Sequence, residues 1–223
     1  MRRRCAALGW VAAAALMALA AAPAGAQQKQ QPNKQPQQQA AQAAGGGSYA
    51  QRYAAQCAAC HGANGRSEMA GTPVLAGQHS FYAVTQLFLF REGRRSNEAM
   101  TAVAKTLKDD DLRGFSDYIA TLPPVPAPAP ATPPDAARMA KGKALAQENK
   151  CVFCHGADLS GGQQVPRLAQ QREDYLLASL REFKSGKRLG YTPAMLDALT
   201  RLSPEDIDTL AYYLARFPSS TSK

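Results

Sequence analysis

The sequence predicts an all-α fold built from two tandem repeats. Three observations support this prediction: a motif of cysteine and histidine occurs twice with the same spacing, apolar residues in each half recur at helical intervals, and no segment alternates as a β-strand would. Each repeat has roughly 75 to 85 residues, a length at which a polypeptide core alone is only marginally stable. A buried apolar group would supply the missing bulk in each repeat.

The repeated motif is Cys-x-x-Cys-His, and its two copies begin 94 residues apart. Together they contain every cysteine after Cys5: Cys57 and Cys60 followed by His61, and Cys151 and Cys154 followed by His155. The pattern is typical of covalently attached c-type haem. Two thiols one helical turn apart can both reach the vinyl edge of a porphyrin, and the adjacent histidine can turn its imidazole onto the iron. The sequence therefore predicts two covalently bound haems c.

Other uses of paired cysteines fit the sequence less well. A four-cysteine zinc site would need the pairs closer together than the 90 residues that separate Cys60 from Cys151. A thioredoxin-like dithiol would follow a β-strand, and neither motif is preceded by a β-branched run. Disulfide bonds suit an oxidising compartment, but they leave the two trailing histidines unexplained.

The amino terminus has the features of a secretory leader. Three consecutive arginines precede the apolar stretch 6–22, and small residues at 24–26 form a cleavage site. Residues 1–26 are therefore predicted to be a signal peptide, which places the mature chain in the periplasm without a transmembrane anchor. Retention of the apolar stretch as an anchor is the alternative. No other segment is apolar enough to span a bilayer, so the mature protein is expected to be soluble.

Two low-complexity segments divide the remaining chain. Residues 27–48 are mostly Gln, Ala and Gly and are predicted to be a disordered tether. Residues 123–134 contain seven prolines and are predicted to be a semi-rigid, extended linker. These segments delimit a first domain of residues 49–122 and a second domain of residues 135–218, which is followed by a short tail, 219–223.

The charge balance argues against a nucleic-acid partner. The formal net charge of +9 falls to +6 without the arginines of the leader, and the domains are nearly neutral, with 8 basic and 7 acidic residues in 49–122 and 12 and 10 in 135–218. Any steering of a redox partner must then come from a local patch, for which the candidate is Arg181, Lys184, Lys187 and Arg188. An ordinary solvated helix face is the alternative interpretation of this cluster.

The two domains align with only small insertions, which indicates duplication of one fold. Matched positions include Pro73 with Pro166, Gln78 with Gln171, Tyr82 with Tyr175, Gly93 with Gly186, Met100 with Met195, and Tyr118 with Tyr213. In each domain we predict a first helix that ends in the motif, over 49–59 and 137–154. An amphipathic helix follows, over 81–91 and 174–184, and a glycine ends it.

A last helix is predicted to close each domain. In the second domain it opens on Ser203 as N-cap, with Pro204 in the first helical position and two acids in the first turn. Three consecutive aspartates, 109–111, give the first domain a weaker version of this signal. Apolar residues at a period of 3.6 then mark one buried face of each helix.

The iron of each haem needs a second axial ligand, for which a methionine thioether is suited because it favours the ferrous state. Met100 and Met195 lie 39 and 40 residues after their histidines and are the only methionines in equivalent positions, so we predict that they are the ligands. Packing in the core is the alternative role. Met69 and Met139 have no such counterpart, and His79 is predicted to be a surface residue.

Pro73 and Pro166 follow the two motifs at matched distances. Either they are ordinary turn residues, or their carbonyl oxygens hold the Nδ1 hydrogen of the haem histidine, as partners behind a metal ligand commonly do.

Residues 49–218 resemble the dihaem class I cytochromes c, and most of all the cytochrome c4 family. The resemblance implies two tandem cytochrome c domains in which His61 with Met100, and His155 with Met195, ligate the two irons. Pro73 and Pro166 would be in the position that orients the histidines. The family usually has a glycine where the first helix crosses the last; Gly142 matches this pattern, whereas the first domain has Ser48 there.

The resemblance implies an electron carrier rather than an enzyme. Such proteins relay single electrons in the periplasm, often to a terminal oxidase, so membrane-bound oxidases or reductases are the expected transient partners. An electron-accepting subunit of a dehydrogenase complex is an alternative that the sequence does not separate from a free carrier. A dihaem peroxidase would need one iron with an open site, which a methionine for each iron argues against.

Overall fold

The computed structural model describes residues 47–130, 132–188, 191 and 193–218. The predicted leader, the tail 219–223 and all of the predicted tether before residue 47 lie outside these residues. The described part of the chain is helical, and its only β interaction is an isolated bridge between Gly162 and Val165. The all-α prediction is therefore confirmed. No helix in this part is long and apolar enough to cross a bilayer.

Each half of the chain forms the same series of five helices. The first half contains α1 Tyr49–Gln56, α2 Ala58–His61, α3 Ser80–Arg91, α4 Glu98–Lys105 and α5 Asp109–Thr121. The second half contains α6 Ala136–Glu148, α7 Cys151–His155, α8 Glu173–Lys184, α9 Pro193–Leu199 and α10 Pro204–Ala215. In each half the first helix packs on the last. The middle helix packs on the last helix and on the short helix, α4 or α9, that lies between them in the chain.

Each half has its own apolar core. In the first half the core lies between α1, α3 and α5, with Tyr53, Leu112 and Phe115 almost fully buried. In the second half it lies between α6, α8 and α10, around Leu176, Ile207 and Leu210. Because the two clusters do not merge, each half buries apolar surface as a domain does.

The helix that leads into each motif is interrupted, and the prediction of one continuous helix is wrong. In the first domain α1 ends at Gln56, and Cys57 has φ −117°, outside the helical range. In the second domain Lys150 adopts a left-handed conformation, φ 57°, between α6 and α7. Each motif therefore forms a short helical turn of its own, separated from the longer helix that packs on the core.

The remaining helix ends follow the sequence signals. Gly93 and Gly186 have φ 67° and 70° just beyond the middle helices, a conformation that favours glycine. The Ser203 side chain accepts a hydrogen bond from the Asp206 N–H, which caps α10 as predicted. Sequence reasoning did not predict α4 and α9, the two short helices that contain Met100 and Met195.

A glycine allows the first and last helices to cross closely, but the two domains place it on different helices. A Cβ atom on Gly142 in α6 would lie 2.3 Å from Tyr213 Cβ in α10. In the first domain the glycine is Gly114 in α5, where an added Cβ would lie 2.0 Å from the ring of Tyr49. The absence of a glycine at Ser48 is thus offset by a glycine on the opposite helix.

The proline-rich segment lies against both domains. Residues 123–130 have no regular secondary structure. The Pro126 carbonyl accepts a hydrogen bond from Arg66 Nε at 3.0 Å, and the Ala127 N–H donates to the Gln170 carbonyl at 2.9 Å. The linker is extended, and these hydrogen bonds fix it to one domain through Arg66 and to the other through Gln170.

The domains meet through contacts that occur in matched pairs. His79 Nε2 lies 2.9 Å from the Ser160 carbonyl oxygen, and the matched Arg172 donates to the carbonyl of Ser67 at 3.3 Å. Gln78 and Gln171 make a second matched pair of contacts. The prediction that His79 is a surface residue is therefore wrong, because its ring is half-buried at the domain interface.

Gly142→Ala tests the close helix crossing. Overpacking a core costs about 1–3 kcal/mol, whereas the better helix propensity of alanine returns at most ~1 kcal/mol. We therefore expect a lower free energy of unfolding in denaturant titrations of the haem-loaded protein. Gly162→Ala is the control, because a Cβ there has no atom within 4 Å. Equal stability of the two variants would contradict the proposed crossing.

Candidate haem sites

The histidine of each motif is buried and held by one backbone carbonyl. His61 and His155 are 6% and 5% exposed. Nδ1 of His61 lies 3.0 Å from the Pro73 oxygen, and Nδ1 of His155 lies 3.0 Å from the Pro166 oxygen. The loop that follows each motif thus returns to its histidine, and in the same way in both domains.

This contact fixes the tautomer of both rings. A carbonyl oxygen can only accept a hydrogen bond, so Nδ1 must bear the hydrogen and Nε2 keeps its lone pair. Burial lowers the pKa of His61 and of His155, although the hydrogen bond to proline acts in the opposite direction. Both rings are therefore neutral at physiological pH, which is the form that ligates a metal.

The cysteines of the motifs do not have the properties of a redox dithiol. The four are not joined in disulfides; Cys57 and Cys151 are half-buried, and Cys60 and Cys154 are exposed. Burial raises the pKa of Cys57 to about 11 and also raises the pKa of Cys151. A reactive dithiol needs a lowered pKa instead. Within the described residues, no three His, Cys, Asp or Glu side chains converge as a metal cluster.

A glycine after each histidine is a site residue that sequence reasoning missed. Gly62 and Gly156 have φ 79° and 82°. A Cβ on Gly62 would lie 2.3 Å from the backbone oxygen of Arg66, so a side chain there would clash as well as strain the backbone. The signal was present in the sequence, because glycine follows both histidines directly.

The two predicted methionine ligands lie in matched positions. Met100 is half-buried in α4, and its N–H donates to the side chain of the N-cap residue Asn97 at 2.9 Å. Met195 is half-buried in α9 and packs against the core of the second domain. Met139 packs on that same core, and Met69 is 49% exposed on a loop. Ligation by Met100 and Met195 stays a prediction.

A buried cationic cluster occupies the domain interface. Arg95 donates to the side-chain oxygen of Gln86 at 2.7 Å and to the Tyr175 hydroxyl at 2.8 Å. The matched Arg188 donates to the Ser179 hydroxyl and to Glu182, both at 2.9 Å. In the described residues, Glu182 is the one carboxylate that forms an ion pair with either guanidinium.

This cluster favours an additional anion. Although burial acts to raise the pKa of Tyr175, the guanidinium groups of Arg95 and Arg188 lower it. Buried cations need paired anions, and the propionates of haem are the anions that the cofactor would bring. Arg95 and Arg188 are therefore the residues that could hold them.

The predicted basic patch on the second domain is not a single surface. The side chain of Arg188 is 5% exposed because it belongs to the interface cluster. Arg181 pairs with Asp208 at 2.8 Å, and Lys184 Nζ donates to the carbonyl of Leu199 at 3.2 Å. Arg181 and Arg188 are thus already paired, and Lys184 donates to the carbonyls of Leu199 and Thr200. Lys187 is exposed and has none of these contacts within the described residues.

The residues of each domain fit covalently bound haem. Two thiols lie one turn apart, a neutral buried histidine has Nε2 available, and the interface supplies cations for the carboxylates of the cofactor. When bound, haem supplies reversible one-electron chemistry between ferric and ferrous iron. The chain would orient the histidine, shield it from water and compensate the negative charge of the haem carboxylates.

Comparison with known proteins agrees with this site. The profile of the family described as Cytochrome c matches residues 49–123 and 139–217. A cytochrome c4 of Thiocapsa roseopersicina is 36% identical over 71% of this chain and 85% of the relative. A thiosulfate dehydrogenase electron acceptor of Thiomonas intermedia (strain K12) is 33% identical over 76% of this chain and 82% of the relative.

Solved structures show the same two-domain arrangement. Reduced recombinant cytochrome c4 from Pseudomonas stutzeri matches with a TM-score of 0.68 and 27% identity, over 76% of this chain and 97% of that chain. A thiosulfate dehydrogenase from Marichromatium purpuratum matches with a TM-score of 0.66 and 33% identity, over 78% of this chain and 41% of that chain. The chain belongs to the cytochrome c family, as a member of its dihaem cytochrome c4 branch. It carries two covalently bound haems c.

Met100→Ala and Met195→Ala test the axial ligands. Each substitution should remove roughly half of the weak near-infrared band of thioether-ligated ferric haem and lower the potential of one haem, because the thioether favours ferrous iron. Absorption spectra and a redox titration measure both effects. Met69→Ala is the control and should leave both unchanged. If the band is lost with Met69 instead, the ligand proposed for the first domain is wrong.

Proposed function

We propose that this dihaem electron carrier works in the periplasm and passes single electrons to a membrane-bound terminal oxidase. The observation that carries the proposal is the matched pair of buried histidines, each neutral and each held at Nδ1 by a proline carbonyl at 3.0 Å. A pair of equivalent sites suits relay of electrons, because both irons would alternate between the same two oxidation states without a change of ligand.

The described residues contribute to this relay by fixing the histidine and the motif backbone of the first haem site. His61 is fixed by Pro73, and the backbone of its motif is held by Ser67, whose hydroxyl donates to the Cys60 carbonyl at 2.7 Å. The Tyr53 hydroxyl donates to the Gly62 carbonyl at 3.1 Å. A site that moves little between oxidation states reorganises little, which suits rapid electron transfer.

The interface cluster favours two haems whose propionates share one cationic region. Arg95 of the first domain contacts Tyr175 of the second, so the cluster is built by both domains. Binding of propionates there would compensate the buried charge and stabilise the docked arrangement of the domains. This arrangement supports transfer between the two haems within one molecule.

A role as electron acceptor of a dehydrogenase is the second candidate. Its support is the similarity to thiosulfate dehydrogenase electron acceptors from Thiomonas intermedia and Stutzerimonas stutzeri, at 33% and 34% identity. The haem sites would be the same in this role, and only the surface that meets the donor would differ.

Carbon monoxide binding distinguishes a carrier from a peroxidase-type enzyme. If Met100 and Met195 occupy the sixth positions, the reduced wild-type protein should bind carbon monoxide slowly or not at all at neutral pH, and peroxide turnover should be negligible. Met100→Ala opens one iron and should bind one equivalent, which provides the positive control. Rapid stoichiometric binding by the wild type would instead favour the enzyme.

Stopped-flow kinetics with two partners separates the two carrier roles. The reduced protein is mixed with membranes that contain a terminal oxidase, and the oxidised protein is mixed with a thiosulfate dehydrogenase catalytic subunit and thiosulfate. We expect the oxidase to oxidise the protein faster than the dehydrogenase reduces it. The reverse order would support the dehydrogenase role.

A further inference from the structure

The peptide that orients each haem histidine is also held from the opposite domain. The carbonyl of the Pro73–Val74 peptide accepts from His61, and the N–H of the same peptide donates to Gln171 Oε1 at 2.8 Å. Gln171 Nε2 in turn donates to the Val74 carbonyl at 2.8 Å. One glutamine of the second domain thus clamps the residue next to the proline of the first.

The reverse contact has the same form. The carbonyl of the Pro166–Arg167 peptide accepts from His155, and its N–H donates to Gln78 Oε1 at 3.1 Å. Gln78 Nε2 donates to the Arg167 carbonyl at 2.8 Å. Because Gln78 and Gln171 are matched positions of the two repeats, the two clamps are reciprocal.

The contacts of Gln171 with Val74 are buried, and those of Gln78 with Arg167 are part-buried. Gln78 and Gln171 are 7% and 5% exposed, and Val74 is 4% exposed. Hydrogen bonds in series polarise one another in such surroundings. An acceptor on the Val74 N–H therefore makes the Pro73 oxygen a stronger acceptor for His61.

A stronger acceptor at Nδ1 changes the metal ligand. The stronger hydrogen bond raises the basicity of the imidazole. A more basic axial ligand stabilises ferric iron and so lowers the reduction potential of the haem. We propose that Gln78 and Gln171 are reciprocal positioning residues: each holds the peptide that orients the haem histidine in the other domain, and so lowers the potential of the other domain's haem. The inference rests on the ligation of the irons by His61 and His155, and it goes beyond the carrier role by coupling each haem to domain docking.

Spectroelectrochemical titration of the haem-loaded Gln171→Met and Gln78→Met variants tests this coupling. Methionine keeps the approximate shape of glutamine without its amide. The potential of the first-domain haem should rise in Gln171→Met, and that of the second-domain haem should rise in Gln78→Met. Nuclear Overhauser contacts of the haem methyl groups assign each potential to a domain.

His79→Leu is the matched control. It removes a cross-domain contact of similar length, 2.9 Å to the Ser160 carbonyl, that does not involve either proline peptide. We expect both potentials to stay unchanged in this variant. A shift as large as that of Gln78→Met would show that loosened docking explains the effect, and would overturn the proposal. A shift confined to the haem of the mutated domain, or no shift, would do the same.

Gln171→Asn keeps the test decisive if Gln171→Met does not fold. The shorter amide cannot reach Val74, so the first-domain potential should again rise. The Val74 amide proton of the reduced protein should also move upfield in either variant, and an unchanged position would count against the proposal. If the wild type lacks two histidine-ligated haems, the proposed function is refuted. If both haems are normally ligated but neither variant shifts the potential of the haem in the opposite domain, only this inference is refuted.

Discussion

The hydrogen bond from a buried histidine to a proline carbonyl is the interaction around which each domain is organised. It selects the tautomer that leaves Nε2 available, and it requires the loop after the motif to return within 3.0 Å of the ring. That return fixes where the loop begins, which explains why Gly62 and Gly156 adopt positive φ directly after the histidines. It also brings the peptide beyond the proline to the surface of the domain, where the other domain can contact it.

Duplication has turned that surface into a self-complementary interface. Because both domains carry the same loop, reciprocal docking satisfies one peptide group of each domain, one through Gln78 and one through Gln171. The same docking brings Arg95 and Arg188 into one buried cluster, in which Arg188 pairs with Glu182 and Arg95 donates to the uncharged groups of Gln86 and Tyr175. Burial of both charges costs free energy that bound propionates would offset, so cofactor binding and domain docking would support each other.

The two domains solve one packing problem in different ways. Close crossing of the first and last helices needs one position without a side chain, and it does not matter on which helix that position lies. The second domain uses Gly142 under Tyr213, whereas the first uses Gly114 under Tyr49. In the first domain the exchange places the Tyr49 ring 5.2 Å from that of Phe115, with Arg52 stacked on both. The repeats therefore keep the crossing while they differ in the residues that form it.

The sequence by itself determined the cofactor, the duplication and most helix ends, because each depends on residues close together in the chain: thiols and histidine within one turn, Gly93 and Gly186 as caps, and Ser203 with Pro204. Only the tertiary structure decided which distant residues meet. His79 and Arg95 have no local feature that marks them as interface residues, since each contacts a residue of the other domain about 80 positions along the chain. The sequence analysis also missed the break at the start of each motif, because neither Cys57 nor Lys150 is a glycine or proline that would signal it. Contacts between Gln78 and Arg167 span 89 positions, and a pattern of periods and caps carries no information at that range.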